Sequence, residues 1–306
     1  MHSRLEKVNG TRAFLSLLAA VTILMYLVAG LGSAVLRMNT QIGLVQLVGP
    51  IYSFGDLTDQ ISSAQKDHRV KALLLYVNSP GGAAYACMEI RRYLENFTKP
   101  SLAVMDEIAA SGAYYIATAA DKIVAHANTI TGSLGVISIW QDYSGWMKKE
   151  GIKFWVWKTG SAKDLYEPWR APTAEENETI QRNLNQTYEI LIHDIARGRP
   201  NMTVEMVRQV ANGSVYSGLD ALKLGLIDEI GDRSDAVDEL ASKAKLRGYI
   251  VRDMSKGDGL VFLGLLWNFF VSPVTIAVAI IVAILLWARP RKDAVEDKRY
   301  SLRKGI

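Results

Sequence analysis

Cysteine occurs once in the 306 residues, at Cys87, so no intrachain disulfide can form and no thiolate metal cage can be built. Neither a metal nor a cofactor is expected. Histidine is scarce too, with only His2, His68, His126 and His193 available as bases. No internal repeat and no low-complexity segment is present, and the length suits one globular domain of ordinary size with additions. The net charge of +4 and an isoelectric point near 9.0 would suit a nucleic-acid binder, but the charge sits in the wrong place. Residues 289–306 hold seven Lys or Arg against three Asp or Glu, residues 1–12 hold three against one, and the interior is slightly acidic. The excess is flanking charge rather than that of a nucleic-acid-binding groove.

Charge is missing altogether from two long stretches. Residues 13–36 would reach about 36 Å as a helix, enough to cross a bilayer. Residues 259–288 form a second uncharged stretch, interrupted by Pro273 and bracketed by Trp267 and Trp287 at positions that suit interface anchors. It fits one kinked span, or an interfacial piece followed by a shorter span. With basic residues outside both stretches, the positive-inside rule places a cytoplasmic N-terminus at 1–12, transmembrane segments at 13–36 and 259–288, a cytoplasmic tail at 289–306 and an extracytoplasmic domain at 37–256. A cleaved signal peptide is the competing reading of the N-terminus, because Ala29, Gly30, Gly32, Ser33 and Ala34 follow the apolar run. Six Asn-x-Ser/Thr sequons occur, at Asn9, Asn96, Asn177, Asn185, Asn201 and Asn212, and five of them fall in the extracytoplasmic region.

Between the spans, strand and helix patterns alternate, which predicts an α/β domain. Strands are expected at 41–51, 70–77, 101–105, 122–126 and 152–160. The second is nearly continuous apolar sequence, as for a strand covered on both faces. Helices are expected after Leu57, at 83–97, at 112–120, from a Thr173/Glu176 capping box to about Gly198, over TVEMVRQVAN, and at 234–245.

Four motifs carry chemistry. The strand at 70–77 runs into Ser79-Pro80-Gly81-Gly82, where two glycines permit a tight turn with uncovered N–H groups, the requirement of an oxyanion hole. Ser111, in Ala-Ser-Gly, is placed where a strand turns into a helix N-terminus and reads as a nucleophile, although a plain helix cap is the common use of such a serine. TGSLGV follows at 131–136, and GSAKD at 160–164. Taken in this order, and with GSVYSGLDALKLGLIDEIGD at 213–232, they resemble the signal peptide peptidase A family of membrane serine proteases. The family fold is related to the Clp protease and crotonase folds, and the resemblance covers roughly residues 42–240. It implies a Clp/crotonase-like βαβ domain between N- and C-terminal transmembrane helices.

The resemblance also implies roles. Lys163, in Gly160-Ser161-Ala162-Lys163-Asp164 followed by Glu167-Pro168, matches the family's general base, and Ser133 matches the hydroxyl that orients the lysine amine; Thr131 or Ser138 would substitute if the loop shifts. The oxyanion donors are taken as the N–H groups of Gly82 and Gly112, with Gly81 the close alternative. A lysine base needs burial to lose its proton near neutrality, and a nearby carboxylate opposes this, so Asp164 is a concern unless another partner holds it. Lys153 and Lys158 are near but outside the motif. His126, close after Ser111, is the rival base of the more usual Ser-His kind. Expected substrates are extended peptides with small or apolar side chains, such as remnant signal peptides, and the expected assembly is a homo-oligomeric ring in which Ser111 of one subunit meets Lys163 of the next. Two other readings stand beside it: a membrane protease that trims one specific partner, and an inactive scaffold that binds apolar peptides.

Overall fold

A computed structural model describes residues 21–23, 25 and 40–256. The expected spans therefore lie outside the described residues, apart from four helical positions of the first. The expected tail at 289–306 also lies outside. Among the described residues no helix is long and apolar enough to cross a membrane. Residues 40–255 form one compact unit.

Its centre is a sheet in which β1 (Gln41–Val48), β2 (Val70–Ser79), β3 (Ser101–Ala110) and β8 (Ile250–Asp253) run parallel in the order β3-β2-β1-β8. Beyond β3 the sheet forks: β4 (Ile123–Ala125) and β5 (Ile130–Gly132) pair with the first and second halves of β3, and β7 (Glu229–Ile230) and β6 (Val215–Ser217) extend them. Helices connect the strands: α1 (Gly55–Lys66), α2 (Ala84–Glu95), α3 (Gly112–Ala117), α4 (Ser144–Lys149), α5 (Ala174–Gly198), α6 (Val204–Val210), α7 (Gly218–Lys223) and α8 (Arg233–Lys243).

Both faces of the central strands are covered, which is why they read as apolar runs rather than as alternations. Val45, Leu47, Leu73, Leu75, Val77, Ala103 and Met105 point to the side packed by α2, α3 and α5. The alternate residues Ile42, Leu44, Ala72, Leu74, Leu102 and Val104 point to the other side, where Ala236, Leu240 and Ala241 of α8 close the second core. Period-two side-chain alternation puts consecutive residues in different cores, so one register slip would disturb both.

The expected strand at 152–160 is corrected: the chain there is irregular and belongs to no sheet. A strand exists only through a neighbour that takes up its N–H and C=O groups, and apolar composition alone does not supply one. Phe154, Trp155, Val156 and Trp157 lie exposed, on an arm that spans roughly residues 136–172. The arm is held mainly by side chains, with Phe154 stacked on Trp169 at 4.9 Å and Trp140 packed on Tyr166 at 5.4 Å, and by one backbone bond, from the Tyr143 N–H to the Pro168 carbonyl at 2.8 Å.

Candidate active site

Strand β3 extends to Ala110, five residues past the expected end, and delivers Ser111 directly into α3. Ser111 takes φ 54° and ψ −124°, a backbone conformation that residues other than glycine rarely adopt. Strain of this kind persists only where the surroundings over-determine it. Here the Ser111 N–H donates to the Gly132 carbonyl at 2.7 Å and its own carbonyl accepts from the Tyr115 N–H at 3.0 Å. The sharp turn lifts the side chain out of the helix end, and no helix N–H bonds to its hydroxyl. Ser111 is thus not a side-chain cap, and its Oγ is free to react.

The Ser79–Gly82 turn lies against it. Gly81 has φ +95°, and a Cβ there would sit 2.7 Å from the Gly112 nitrogen and 2.9 Å from the Ser111 Cβ. Gly82 passes so close to β1's continuation that a Cβ would come within 2.0 Å of the Ile51 carbonyl oxygen. The three candidate N–H donors differ in what they do. That of Gly81 donates to the Ser79 Oγ at 3.1 Å, whereas those of Gly82 and Gly112 meet no acceptor among the described residues. Beneath them lies Cys87, whose Sγ would stand 2.3 Å from a Cβ on Gly112. Burial pushes this thiol up to about 11, which keeps it protonated and inert at neutral pH.

Ser111 and Ser133 share one cavity of about 600 Å³. Ser133 also has a positive φ, 51°, and its N–H donates to the Ser214 carbonyl at 2.7 Å. The two substitutes considered for it are engaged elsewhere: Thr131 Oγ1 donates to the Ala109 carbonyl at 2.6 Å, and Ser138 Oγ pairs with the Tyr166 hydroxyl at 2.7 Å. Opposite Ser111 the wall comes from α5 and the turn after α6, through Leu184, Asn185, Tyr188 and Asn212. The sequence offered no sign of these residues beyond two sequons and the amphipathic pattern of α5. Only the packing of α5 over the β3–α3 junction turns them toward the serine.

Lys163 lies in an exposed turn of the arm, with its N–H donating to the Gly160 carbonyl at 3.3 Å, and it does not line the Ser111 cavity of its own protomer. Asp164, the feared neighbour, is directed elsewhere. Lys158 reaches it at 2.5 Å and Arg170 at 2.9 Å, and these cations hold its carboxyl far below the usual range. Lys158 is thereby occupied, and Lys153 is exposed. His126 is exposed beyond β4, outside the cavity, with Nδ1 accepting from the Asn128 N–H at 3.2 Å. His68 and His193 are exposed as well.

An elbow serine, two uncommitted N–H groups beside it and a cavity of mixed polar and apolar lining form the equipment of acyl transfer. Comparison with known proteins agrees. A Clp protease family model matches residues 39–131. The chain is 38% identical over 198 residues to a putative signal peptide peptidase SppA of Enterococcus faecium, covering 64% of this chain and 57% of that protein. It is 38% identical over 188 residues to a putative protease of Methanocaldococcus jannaschii, with 61% and 60% covered. Against a chloroplastic serine protease SPPA of Arabidopsis thaliana it is 33% identical over 224 residues, with 70% and 32% covered. The chain thus spans under two thirds of the length of these relatives. A model for peptidase family S49 matches residues 94–247, half of the chain, and to that family the chain belongs.

Proposed function

We propose that this chain is a membrane-anchored serine endopeptidase that uses Ser111 as nucleophile and Lys163 as general base. The observation that carries the reading is the strained Ser111 elbow, with its hydroxyl unengaged next to the free N–H groups of Gly82 and Gly112. In the reaction, Ser111 Oγ attacks the scissile carbonyl carbon while Lys163 Nζ accepts the serine proton. The carbonyl oxygen gains the negative charge and is held by the Gly82 and Gly112 N–H groups. Collapse of the tetrahedral adduct breaks the C–N bond, and the lysine ammonium returns the proton to the departing amine. Water, deprotonated by the same lysine, then releases the acyl group as an acid. Ser133, within the same cavity, orients the amine.

Val136, Ile137, Leu184 and Tyr188 in the cavity wall suit small or apolar substrate side chains, such as those of remnant signal peptides. Membrane attachment rests on the uncharged stretches 13–36 and 259–288, and the flanking basic residues favour cytoplasmic termini with the catalytic domain outside. The lysine is supplied by a neighbouring subunit of a homo-oligomeric ring. Two observations support this: Lys163 does not line its own protomer's serine cavity, and the arm that bears it is studded with exposed Trp155 and Trp157. Packing against a neighbour would also strip water from the lysine, which favours its neutral form.

A fluorophosphonate probe tests the assignment. Labelling should be abolished in Ser111→Ala, and peptide hydrolysis should fall by about 10²–10⁴-fold in Lys163→Ala. His126→Ala should keep most activity. A dead His126→Ala beside an active Lys163→Ala would replace the dyad with a Ser-His pair.

A further inference from the structure

Thr40, Lys71, Pro100 and the stretch from Lys243 to Gly248 surround a cleft of about 650 Å³ that has no part in the chemistry above. These positions share a place in the fold, the starting end of the parallel strands: Thr40 precedes β1, Lys71 is the second residue of β2, Pro100 precedes β3 and Gly248 lies two residues before β8. Ser111 follows the last residue of β3. The cleft and the serine therefore lie at opposite ends of a strand of 10 residues, about 30 Å apart.

Four cations rim the cleft: Lys71, Lys243, Lys245 and Arg247. Lys243 contacts Asp121 at 3.0 Å, but Lys71, Lys245 and Arg247 are exposed and have no carboxylate partner among the described residues. Lys99 adds to the same field, since its ammonium is held near Lys71 by the carbonyls of Ala64 and Asp67 rather than by a carboxylate. Arginines elsewhere in the domain, such as Arg69, Arg170 and Arg199, are paired with carboxylates, whereas Lys148, Lys149 and Lys153 on the arm are single exposed cations without such a cleft between them. Like charges gathered at one cleft repel one another; Asp121 beside Lys243 and Asp67 near Lys99 offset part of that repulsion, but among the described residues no carboxylate does so for Lys71, Lys245 and Arg247. An external anion would.

The chain length indicates which anion. Only residues 37–39 separate Thr40, on the cleft wall, from the uncharged stretch 13–36, a covalent reach of at most about 14 Å. Cations so close to a bilayer feel the negative surface potential of anionic lipids, which decays over a Debye length of about 8–10 Å. We propose that this cleft seats on the anionic phospholipid headgroups of the membrane that holds the chain, with Lys71, Lys245 and Arg247 contacting lipid phosphates. The proposal rests on the membrane-anchored reading. It also specifies that reading: a domain seated in this way works with Ser111 about 30 Å from the headgroups, so a peptide must be drawn roughly nine extended residues out of the bilayer surface to be cut.

The test uses the full chain reconstituted in vesicles of phosphatidylcholine alone, or with about one third phosphatidylglycerol, and reads amine acetylation of individual lysines by mass spectrometry. Lys223, exposed on α7, serves as reference. Lys71 and Lys245 should be modified about threefold less, or lower still, in the anionic vesicles, and the protection should vanish at about 0.5 M salt. Equal modification in the two membranes at low salt overturns the proposal. Equal protection by inorganic phosphate added to phosphatidylcholine vesicles also overturns it, by making the cleft a site for soluble phosphate. The triple variant Lys71→Gln, Lys245→Gln, Arg247→Gln should label with fluorophosphonate at the parent level while the lipid-dependent protection of Lys243 disappears; persistence of that protection counts against the seat. Flotation after a high-salt wash separates the two levels of the argument. Protein that fails to float refutes anchoring and the seat together, whereas protein that floats but shows no lipid-dependent protection refutes the seat alone.

Discussion

Ser111 is strained, and the proposed role requires it to be reactive as well; the glycines around it make the strain tolerable. Gly112 can be nothing larger, because its Cβ would meet the Cys87 Sγ at 2.3 Å and the Cys87 Cβ at 3.2 Å. Overpacking of this kind costs about 1–3 kcal/mol. Gly112→Ala should therefore lower the melting temperature and abolish fluorophosphonate labelling, since relief of the clash moves the N–H offered to the oxyanion. Trimming the obstacle should restore much of the loss: Gly112→Ala with Cys87→Ala should melt above Gly112→Ala alone. Gly81→Ala should find no such rescue, because its Cβ meets the backbone of Ala110 and Gly112 and its φ of +95° disfavours any side chain. A Gly112→Ala protein with unaltered melting and labelling would remove Gly112 from the oxyanion hole.

At the scale of elements, the arm carrying Lys163 is anchored by charge rather than by a sheet. Arg170 bridges Asp164 at 2.9 Å and Glu176 at 2.6 Å and lies over the Trp140 ring at 5.3 Å. Glu176 meanwhile completes the capping box of α5, accepting from the Thr173 N–H at 2.8 Å, so the start of that helix and the base of the arm share one carboxylate. Arg170, followed by the Thr173 N–H, brings Glu176 down from 4.5 to about 2. A carboxylate with a depressed folded-state value contributes stability fully above its ordinary value and loses it as the pH falls through the folded one. The arm should thus hold unchanged from pH 7 to about 5 and loosen between about 4.5 and about 2. Five of the seven tryptophans, Trp140, Trp146, Trp155, Trp157 and Trp169, lie in the arm, so intrinsic fluorescence reports it. Arg170→Lys, which loses the forked geometry, should move the fluorescence transition toward the ordinary carboxylate range. A transition already complete at pH 5 in the parent protein would refute this anchoring.

For the whole molecule, exposed apolar surface is the informative feature. Ile137 is 81% exposed, Trp155 75% and Trp157 87%, all on the arm or at its root. Exposed large apolar residues on an arm suit an interaction surface, and under the proposed shared site a second copy that brings its Ser111 to this Lys163 would cover that surface. Co-expression of Ser111→Ala with Lys163→Ala should then produce mixed rings that regain activity, from contacts where an intact serine faces an intact lysine. A stable mixed ring without activity would mean that each protomer builds its own site.

The local signals in the amino-acid sequence were sufficient for everything that depends on neighbours along the chain. The apolar run at 70–77 read as a doubly covered strand, Ser79–Gly82 as a tight turn, and Thr173 with Glu176 as the start of α5. The position of Ser111 at a strand-to-helix turn was legible for the same reason, although the length of β3 was not. Strand pairing was decided in three dimensions, because a ladder needs hydrogen-bond partners from distant segments. The short strands β5 to β8 carry too few residues to show a period, and 152–160 has a strand's composition without a neighbour in the described residues. Which glycine N–H is left free turned on a local bond that the motif alone did not reveal: the Ser79 Oγ accepts from the Gly81 N–H two residues on, as in a serine turn, and the next N–H stays uncovered. Asp164 shows the same division, since the sequence places it beside Lys163 and only the fold turns it to Lys158 and Arg170.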